Sequence, residues 1–455
     1  MFRLVKLSSP VYSGWIYKYG EGEGNAITII AGENGAGKSK ILAGLAESHL
    51  YEGDGFIQSV DQTSSPNKVV AQTFSPFSKF PQPYEERARR RGVEKNLFPE
   101  EHRRGAYEVV GFHKRNGLFG ASITKNIVEG ALQKIAGRPE EKVFAVSRAL
   151  SYLGYEQNVR FNYSPSMGRN IFLKGNSQEA LKGQIVSDVN RVRDGVSSGS
   201  RRWLYEEIEL HGMDEVVGRL LVAFNYLLDS GVSIDRSKGV EFSVDFSMGI
   251  SFEQKELIKT IVFLRKAGYF RLGRCSLSGR NQDLDVDVGE LSSGQQQIIS
   301  SIFGLATAIE DNSLVLIDEP EISLHPRWQK DWIELLEGVL QEYKGCHVIV
   351  ATHSPLLVSS ANEKGAFIVD IGAESDVFVD WELGGSAGVD ETLVKVFHTS
   401  ATGNSYLTET LISAVANIDA SVDERNESRR ELLNFAKVAS AEDVEMIERA
   451  LKLLE

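Results

Sequence analysis

The stretch GENGAGKS, residues 32–39, decides the fold, because it fits the pattern G-x-x-x-x-G-K-[ST]. The run AITII before it is apolar and rich in β-formers, and KSKILAGLAESHL after it has the apolar spacing of a helix. Strand, glycine loop and helix are the order that a phosphate-binding loop requires. A glycine-rich turn without a ligand is the alternative interpretation, and the flanking strand and helix disfavour it.

The residues of this glycine loop predict ATP and Mg²⁺ as cofactors. Backbone N–H groups of the loop, including those at Asn34, Gly35 and Gly37, are expected to converge on phosphate oxygens. Lys38 is expected to bridge the β- and γ-phosphates, and Ser39 to ligate Mg²⁺ through its hydroxyl group.

The composition is that of a globular chain: 455 residues, 42% hydrophobic and 25% charged, with a formal net charge of −13. This length suits two or three domains. The negative charge argues against a protein that coats nucleic acid by electrostatics alone. Two cysteines exclude a disulfide framework and suit a reducing compartment. Since no signal-peptide core or long apolar window is found, we expect a cytoplasmic protein without a membrane segment.

Two further apolar runs end in residues that suit nucleotide chemistry. LVLIDEPE, residues 314–321, places Asp318 and Glu319 at the end of a strand, where ligands bind in open α/β sheets. Asp318 is expected to hold Mg²⁺, and Glu319 to be the base or orienting group for the attacking water. His353 follows the strand-like run HVIVAT and is expected to contact the γ-phosphate. The alternatives are a solvated acidic turn and a structural histidine.

A fourth motif, LSSGQ at residues 291–295, opens a predicted helix. The Ser292 hydroxyl and the N–H groups of Ser293 and Gly294 suit an anion. The motif is weak evidence by itself, but it lies 27 residues ahead of Asp318.

The four motifs, in this order, resemble the ABC-type ATPase heads of the SMC and RecF class. DEPEISLHPRWQ followed by ATHSP is more closely similar to the OLD-like subgroup of that class. The resemblance covers about 150 residues. In this family two heads enclose ATP between the phosphate loop of one head and the LSSGQ-type signature of the other. The resemblance therefore implies that Ser292, Ser293 and Gly294 act on the nucleotide of a partner copy.

Two site assignments depend on the resemblance alone. Gln72, near the end of the strand-like run KVVAQTF, is placed after the strand proper and is the candidate for the family's glutamine near Mg²⁺. The aromatic residue that stacks on adenine stays open between Trp15, Tyr17 and Tyr19.

The separation of the motifs predicts the domain organisation. Residues 1–75 are predicted to form a first head lobe and residues 289–385 a second. Residues 76–288 form an insertion, and residues 386–455 a helical segment that we expect to bind a partner. Alternating strands and helices predict an α/β head with a mostly parallel sheet. The insertion lacks heptads, which favours a compact mixed or helical module over a long coiled coil.

The resemblance implies an ATPase subunit that senses or regulates a separate nuclease effector in anti-phage defence. A built-in Toprim nuclease would need a D-x-D pair, which the acids after His353 do not form. These acids include Asp370, Glu374, Asp376, Asp380 and Glu382. Stand-alone heads of this kind resemble the ATPases of two-gene systems, Septu ATPases first and PARIS ATPases second. The family implies a head-to-head dimer or a higher homo-oligomer.

A RecF-like DNA-repair clamp is the alternative function, and the large insertion disfavours a transporter ATPase. A clamp would need a basic surface, which the net charge of −13 does not favour. A local arginine cluster is the candidate nucleic-acid or partner contact, although such a cluster is more often a solvated helix face. The cluster consists of Arg87, Arg89, Arg90, Arg91, Arg103 and Arg104. The run DLDVDVGE, with Asp283, Asp285 and Asp287, is interpreted as an exposed acidic strand.

Overall fold

The computed structural model describes most of the chain. The described residues are 1–17, 24–50, 56–75, 77–81, 107–111, 121–137, 144–166, 178–193, 202–232, 234–235, 239–280, 282–371, 388–397, 404–417, 421–436, 439 and 441–454. The predicted arginine cluster, Tyr19 and the acids Glu374, Asp376, Asp380 and Glu382 lie outside these residues. The chain divides into two compact units: Met1–His113 with Ile309–Glu455, and Lys114–Ala308.

Strands and helices alternate along the described residues. The strands are β1 (Leu4–Ser8), β2 (Ser13–Trp15), β3 (Ala26–Ala31), β4 (Ser59–Gln62), β5 (Lys68–Thr73), β6 (Tyr107–Gly111), β7 (Tyr155–Pro165), β8 (Ile234–Asp235), β9 (Gly239–Asp245), β10 (Phe270–Gly279), β11 (Gln282–Asp287), β12 (Ser313–Asp318), β13 (His347–Ala351) and β14 (Phe367–Asp370). The helices are α1 (Lys38–Ser48), α2 (Ala121–Ala136), α3 (Phe144–Tyr152), α4 (Gln178–Arg193), α5 (Arg202–His211), α6 (Met213–Asp229), α7 (Phe252–Lys266), α8 (Ser293–Ala308), α9 (Pro326–Leu340), α10 (Pro355–Glu363), α11 (Val389–Lys395), α12 (Ser405–Ala416), α13 (Val422–Ala436) and α14 (Ala441–Leu453).

A six-stranded parallel sheet forms the centre of the first unit, with the order β14-β3-β13-β12-β5-β6. Every residue of β5, β12 and β13 is buried. A parallel sheet covered on both faces requires such continuous apolar runs. The predicted α/β class with a mostly parallel sheet is therefore confirmed.

Helix α1 covers one face of this sheet. It packs against β12 and β13, and its Ile41, Leu42 and Leu45 are fully buried in one cluster with Leu314 and Leu316. Alternate residues of a strand point to the same face, so this cluster takes every second residue of β12. The packing holds the start of α1 beside the carboxyl end of β12, where the motif residues lie.

Two smaller layers complete the described part of the first unit. Strands β2, β1 and β4 form an antiparallel sheet in that order. The C-terminal residues form helices α11–α14, as predicted, and their shared core includes Leu407, Leu432, Phe435 and Ile447. No helix in the described ranges has the length and apolar character needed to cross a membrane.

The second unit combines an antiparallel sheet with helices, as predicted for a mixed insertion. Its strand order is β11-β10-β7-β9-β8, and α8 packs against α2 and α3. The prediction of an exposed acidic strand is wrong for Asp287, which is 6% exposed. Lys125 of α2 lies 2.9 Å from the Asp287 carboxylate, a neighbour that the local pattern cannot reveal. In the described ranges, no group of three or more His, Cys, Asp or Glu residues could hold a metal ion.

His347 is a buried polar residue inside the central sheet of the first unit. The Leu4 N–H donates to its Nδ1 at 3.1 Å, and its Nε2 lies 3.0 Å from the Thr28 hydroxyl. That hydroxyl donates to the Ile16 carbonyl, so it accepts a hydrogen bond from Nε2–H. Burial, with the charge of Arg3, lowers the pKa of His347 to about 3 from 6.5. The folded chain therefore holds a neutral imidazole here.

We expect the stability of the protein to fall as the pH drops below 6.5, the ordinary pKa of histidine. The unfolded chain takes up this proton near pH 6.5 and the folded chain only near pH 3, so the stability declines through this window. The His347 contribution to the free energy of unfolding should be about 1.4 kcal/mol smaller at about pH 5.5 than at about pH 7.5. His347→Gln should reduce the pH slope of the stability measured by denaturant unfolding. A slope equal to that of the unmodified chain would contradict the assignment.

Candidate nucleotide site

The glycine loop connects β3 to α1 in a backbone shape that needs glycine. Gly35 and Gly37 have positive φ values of 89° and 103°. A Cβ atom at Gly37 would also lie 3.1 Å from Val11 Cγ2. Gly37 is the N-cap of α1 and makes no side-chain cap. The first N–H groups of the helix are therefore free of a side-chain acceptor, which fits the binding of an anion.

Lys38 holds its ammonium group against the loop. Its side chain is buried, and Nζ donates to the carbonyl oxygens of Gly32 at 2.7 Å and Glu33 at 2.9 Å. Burial lowers the pKa of Lys38, and the charges of nearby acids, Glu319 first among them, oppose this shift. A cation fixed at the start of a helix beside uncapped N–H groups suits phosphate chemistry.

Two of the three predicted magnesium-site residues, Ser39 and Asp318, lie in direct contact. The Ser39 hydroxyl donates to Asp318 Oδ1 at 2.9 Å, although the residues are 279 positions apart in the chain. Asp318 is 4% exposed, and burial, together with the charges of Glu319 and Glu321, raises its pKa from 3.8 to about 6. A hydroxyl and a carboxylate are the hard oxygen ligands that Mg²⁺ prefers. The donor set therefore fits this ion.

Replacing Asp318 with asparagine should stabilise the protein when Mg²⁺ and nucleotide are absent. Because the folded pKa lies above the ordinary value, ionisation of Asp318 destabilises the fold as the pH rises from 3.8 through about 6. Asparagine keeps an acceptor for Ser39 and removes the buried charge, a gain of up to about 3 kcal/mol at neutral pH. Thermal unfolding in a chelator checks this, with Asp331→Asn on α9 as the control. A lower melting temperature for Asp318→Asn would contradict the expectation.

Glu319 follows Asp318 in a strained backbone conformation. Its φ is 49°, in the left-handed region that non-glycine residues rarely adopt, and its N–H donates to the Ala351 carbonyl at 2.9 Å. Such strain is found most often at functional sites. The side chain lies beside the predicted γ-phosphate contact, with Glu319 Oε1 3.6 Å from His353 Nδ1. The neighbouring His353 ring lowers the pKa of Glu319.

Glu321 is a site residue that the motif analysis did not identify. It is 5% exposed, and its Oε1 accepts hydrogen bonds from the Thr352 hydroxyl at 2.6 Å and the His353 N–H at 2.8 Å. The available signal was the second glutamate of DEPE, since a carboxylate so close to a buried strand end requires partners.

Gln72 is predicted to follow its strand. It lies within β5 instead and is fully buried. In the parallel register Gln72 pairs with Ile317, whereas Thr73 pairs with Asp318. Because paired residues share a face and successive residues alternate, Gln72 and Asp318 belong to opposite faces of the sheet. A role for Gln72 at Mg²⁺ stays a prediction, and Thr73 is the residue beside Asp318.

The aromatic candidates for adenine stacking differ in exposure. Tyr17 is 8% exposed and packs against His347 and Phe367. Trp15 is partly exposed, and the ammonium group of Lys6 lies 3.8 Å from the centre of its ring. Of these two, Trp15 is the better candidate, because a stacking ring needs an accessible face.

The LSSGQ segment belongs to the second unit, at the start of α8. Ser292 and Ser293 are exposed and Gly294 is buried. The Gln295 N–H donates to the Ser292 hydroxyl oxygen at 3.3 Å, and the Ser292 N–H donates to Gln295 Oε1 at 3.1 Å. This reciprocal pair has the form of a capping box and fixes the two serines at the helix start.

A comparison with known protein families finds a match to the part of the chain that carries the later site residues. Residues 276–359 match the family model described as "AAA domain, putative AbiEii toxin, Type IV TA system". This span includes the LSSGQ segment, Asp318, Glu319 and His353, and it does not include the glycine loop.

Three curated relatives show low identity over short alignments. Septu protein PtuA of Bacillus thuringiensis is 30% identical over 157 residues, which are 30% of this chain and 38% of the relative. Protein ea59 of Escherichia phage lambda is 37% identical over 68 residues, or 15% of this chain and 13% of the relative. Retron Ec83 probable ATPase of Escherichia coli is 31% identical over 101 residues, or 20% of this chain and 18% of the relative. The chain thus spans less than two fifths of the length of each. The resemblance to ATPases of anti-phage defence systems, predicted from the motifs, is confirmed at this level of identity.

Proposed function

We propose that the chain is an ATP-binding and ATP-hydrolysing subunit that senses or regulates a separate nuclease effector in anti-phage defence. The observation that carries this proposal is the 2.9 Å contact between Ser39 of the glycine loop and Asp318 at the end of β12. Two motifs of the ATPase resemblance meet there. The similarity to Septu and retron proteins supports the defence context.

The site residues divide the predicted chemistry among them. Lys38 and the loop N–H groups bind phosphate oxygens, while Ser39 and Asp318 hold Mg²⁺, which neutralises phosphate charge when bound. Glu319 orients the attacking water or accepts its proton. His353 contacts the terminal phosphate.

The LSSGQ segment supplies the predicted contact between two copies. In the family arrangement Ser292, Ser293 and Gly294 act on the nucleotide of a partner copy, in a head-to-head dimer or a higher homo-oligomer. The exposure of both serines supports this, because a residue that contacts a partner must be accessible in the single chain. The helices of residues 386–455 are the proposed effector-binding segment.

The native operon provides the direct test of this function. The chain is tagged there, purified gently with Mg²⁺ and ATP, and the complex is weighed and its components identified. We expect a nuclease from the same operon in a fixed ratio to the ATPase. Lys38→Ala, purified in parallel, tests whether nucleotide controls the association.

A nucleotide-dependent dimer that carries DNA and no nuclease would contradict the defence proposal and support the RecF-like alternative. None of the three relatives described above is named as a repair clamp, and the comparisons do not favour that alternative.

A further inference from the structure

Glu321 has no task in the steps proposed above, although its carboxylate is buried in the site. One oxygen, Oε1, accepts the two hydrogen bonds from Thr352 and His353. The other, Oε2, is buried and has no hydrogen-bond partner among the residues that the structure describes. A buried carboxylate oxygen without a partner costs free energy. Fold stability alone therefore does not explain an acid at this position.

The same carboxylate faces the imidazole ring of His353. Nδ1 of the ring lies 3.2 Å from Glu321 Oε1 and 3.6 Å from Glu319 Oε1. Ionised carboxylates only accept hydrogen bonds, so the arrangement is favourable when Nδ1 carries a proton. The remaining ring nitrogen, Nε2, can then donate to an anion only if the ring is doubly protonated.

The charged groups around His353 favour that doubly protonated ring. Glu319 and Glu321 face it from the turn after β12, and Lys38 faces it from the glycine loop. The neighbouring carboxylate of Glu319, followed by the charge of Glu321, raises the pKa of His353, whereas burial and Lys38 act in the opposite direction. The side chain of His353 is 42% exposed, so the ring is accessible to a ligand.

We propose that Glu321 is the positioning residue for His353: it fixes the Thr352 hydroxyl and the His353 backbone N–H and holds Nδ1, so that Nε2–H is presented to an anion. This role rests on the proposed function, in which the anion is the terminal phosphate of ATP. The two glutamates of DEPE then have different tasks. Glu319 acts on water, and Glu321 keeps the histidine in place while Glu319 does so.

The titration of His353 tests the contact without any nucleotide. The full chain is labelled with [¹³Cε1]histidine, and His353→Gln identifies the resonance among the 8 histidines. Glu321→Gln keeps an oxygen acceptor for both hydrogen bonds and removes the charge. We expect it to lower the pKa of His353 by roughly one unit.

Glu108→Gln provides the matched control for this titration. It makes the same chemical change in the same sheet, at a glutamate paired with Lys68 at 3.0 Å. It should leave the His353 titration unchanged. An unchanged His353 titration in Glu321→Gln, or an equal shift in Glu108→Gln, would overturn the proposal.

Replacing Glu321 with the shorter aspartate separates the effect of the carboxylate's position from the effect of its charge. Glu321→Asp keeps the carboxylate and withdraws it by one methylene group from Thr352 and His353. We expect both Glu321→Asp and Glu321→Gln to slow hydrolysis about 10- to 100-fold. Nucleotide affinity should stay within about threefold, because the loop contacts are intact. Unmodified turnover in Glu321→Asp would overturn the positioning role.

Thermal unfolding separates positioning from a structural role. Burial raises the pKa of Glu321, so its charge does not stabilise the fold at neutral pH. The melting temperature of Glu321→Gln should therefore be no lower than that of the unmodified chain, and a marked fall would overturn the proposal.

The failure of this inference is distinct from failure of the proposed function. If the unmodified chain binds no ATP, the proposed function is wrong. The titration of His353 then still tests the contact between Glu321 and His353. If ATP is hydrolysed and Glu321→Gln changes neither titration nor rate, only the positioning role fails.

Discussion

Replacing Lys38 with alanine is expected to abolish ATP binding. The side chain is 5% exposed, and its ammonium group is already held by the carbonyl oxygens of Gly32 and Glu33. A group fixed in the loop loses little conformational entropy when a phosphate arrives, so most of its interaction energy contributes to affinity. Removing one partner of a buried charge pair costs about 2–5 kcal/mol, which corresponds to a loss of roughly 30-fold to several thousand-fold in affinity.

A titration with a fluorescent ATP analogue measures this loss. Lys40→Ala is the matched control, because Lys40 lies on the same helix and is exposed. Its affinity should stay within about twofold of the unmodified chain. Lys38→Met preserves side-chain bulk and should behave as Lys38→Ala does, which separates loss of charge from a packing defect. Unchanged affinity in both Lys38 variants would mean that the glycine loop is not the nucleotide site.

The parts of the site that were predictable from the sequence are those encoded in short local patterns. GENGAGKS needs positive φ at Gly35 and Gly37, and only glycine adopts this conformation readily. The loop can therefore be recognised from the sequence alone. The apolar runs before Asp318 and His353 can also be recognised in the sequence. A strand that is buried on both faces cannot alternate apolar residues with polar ones, so it is a nearly continuous apolar run. Strand ends then place the motif residues at one edge of the sheet.

Contacts between distant residues were not predictable in the same way. Glu321 accepts from Thr352, which is 31 residues away, and nothing local marks the pair. The face on which Gln72 lies depends on the register of β5 against β12, and a shift of one residue would reverse it. Asp287, at the end of β11, is buried beside Lys125 of α2, which is distant in the chain. In each case the deciding fact is a contact with a residue that is distant in the chain, and no local sequence pattern reveals such a contact.

Replacing Glu319 with glutamine should trap bound ATP. Of the three acids at the end of β12, Glu319 has a side chain that is 27% exposed, whereas Asp318 and Glu321 are nearly inaccessible. The pKa of Glu319 is lowered by the neighbouring His353 ring, and burial raises the pKa of the other two. Glu319 is therefore the acid that is both ionised at neutral pH and reachable by water, the two properties of a base.

Glutamine keeps the shape of Glu319 and cannot accept the proton, so we expect hydrolysis to fall by about 100-fold or more while ATP affinity is retained. Single-turnover phosphate release measures the rate, and size measurements show whether the ATP-bound oligomer persists longer. Glu334→Gln, at an exposed position of α9, should hydrolyse ATP at the unmodified rate. The same rate in Glu319→Gln would show that another group serves as the base.

Under the proposed function, the two variants together decide whether bound ATP or its hydrolysis is the signal. Lys38→Ala represents an empty site and Glu319→Gln a permanently filled one, in chains that keep the same fold. If hydrolysis is the signal, both variants should lose protection in a phage plating assay. If occupancy is the signal, only Lys38→Ala should lose its nucleotide control, and Glu319→Gln should hold the effector in its ATP-bound state. Slow turnover in the unmodified chain is compatible with the second outcome, because an occupied site acts through its bound phosphate and not through the rate of its loss.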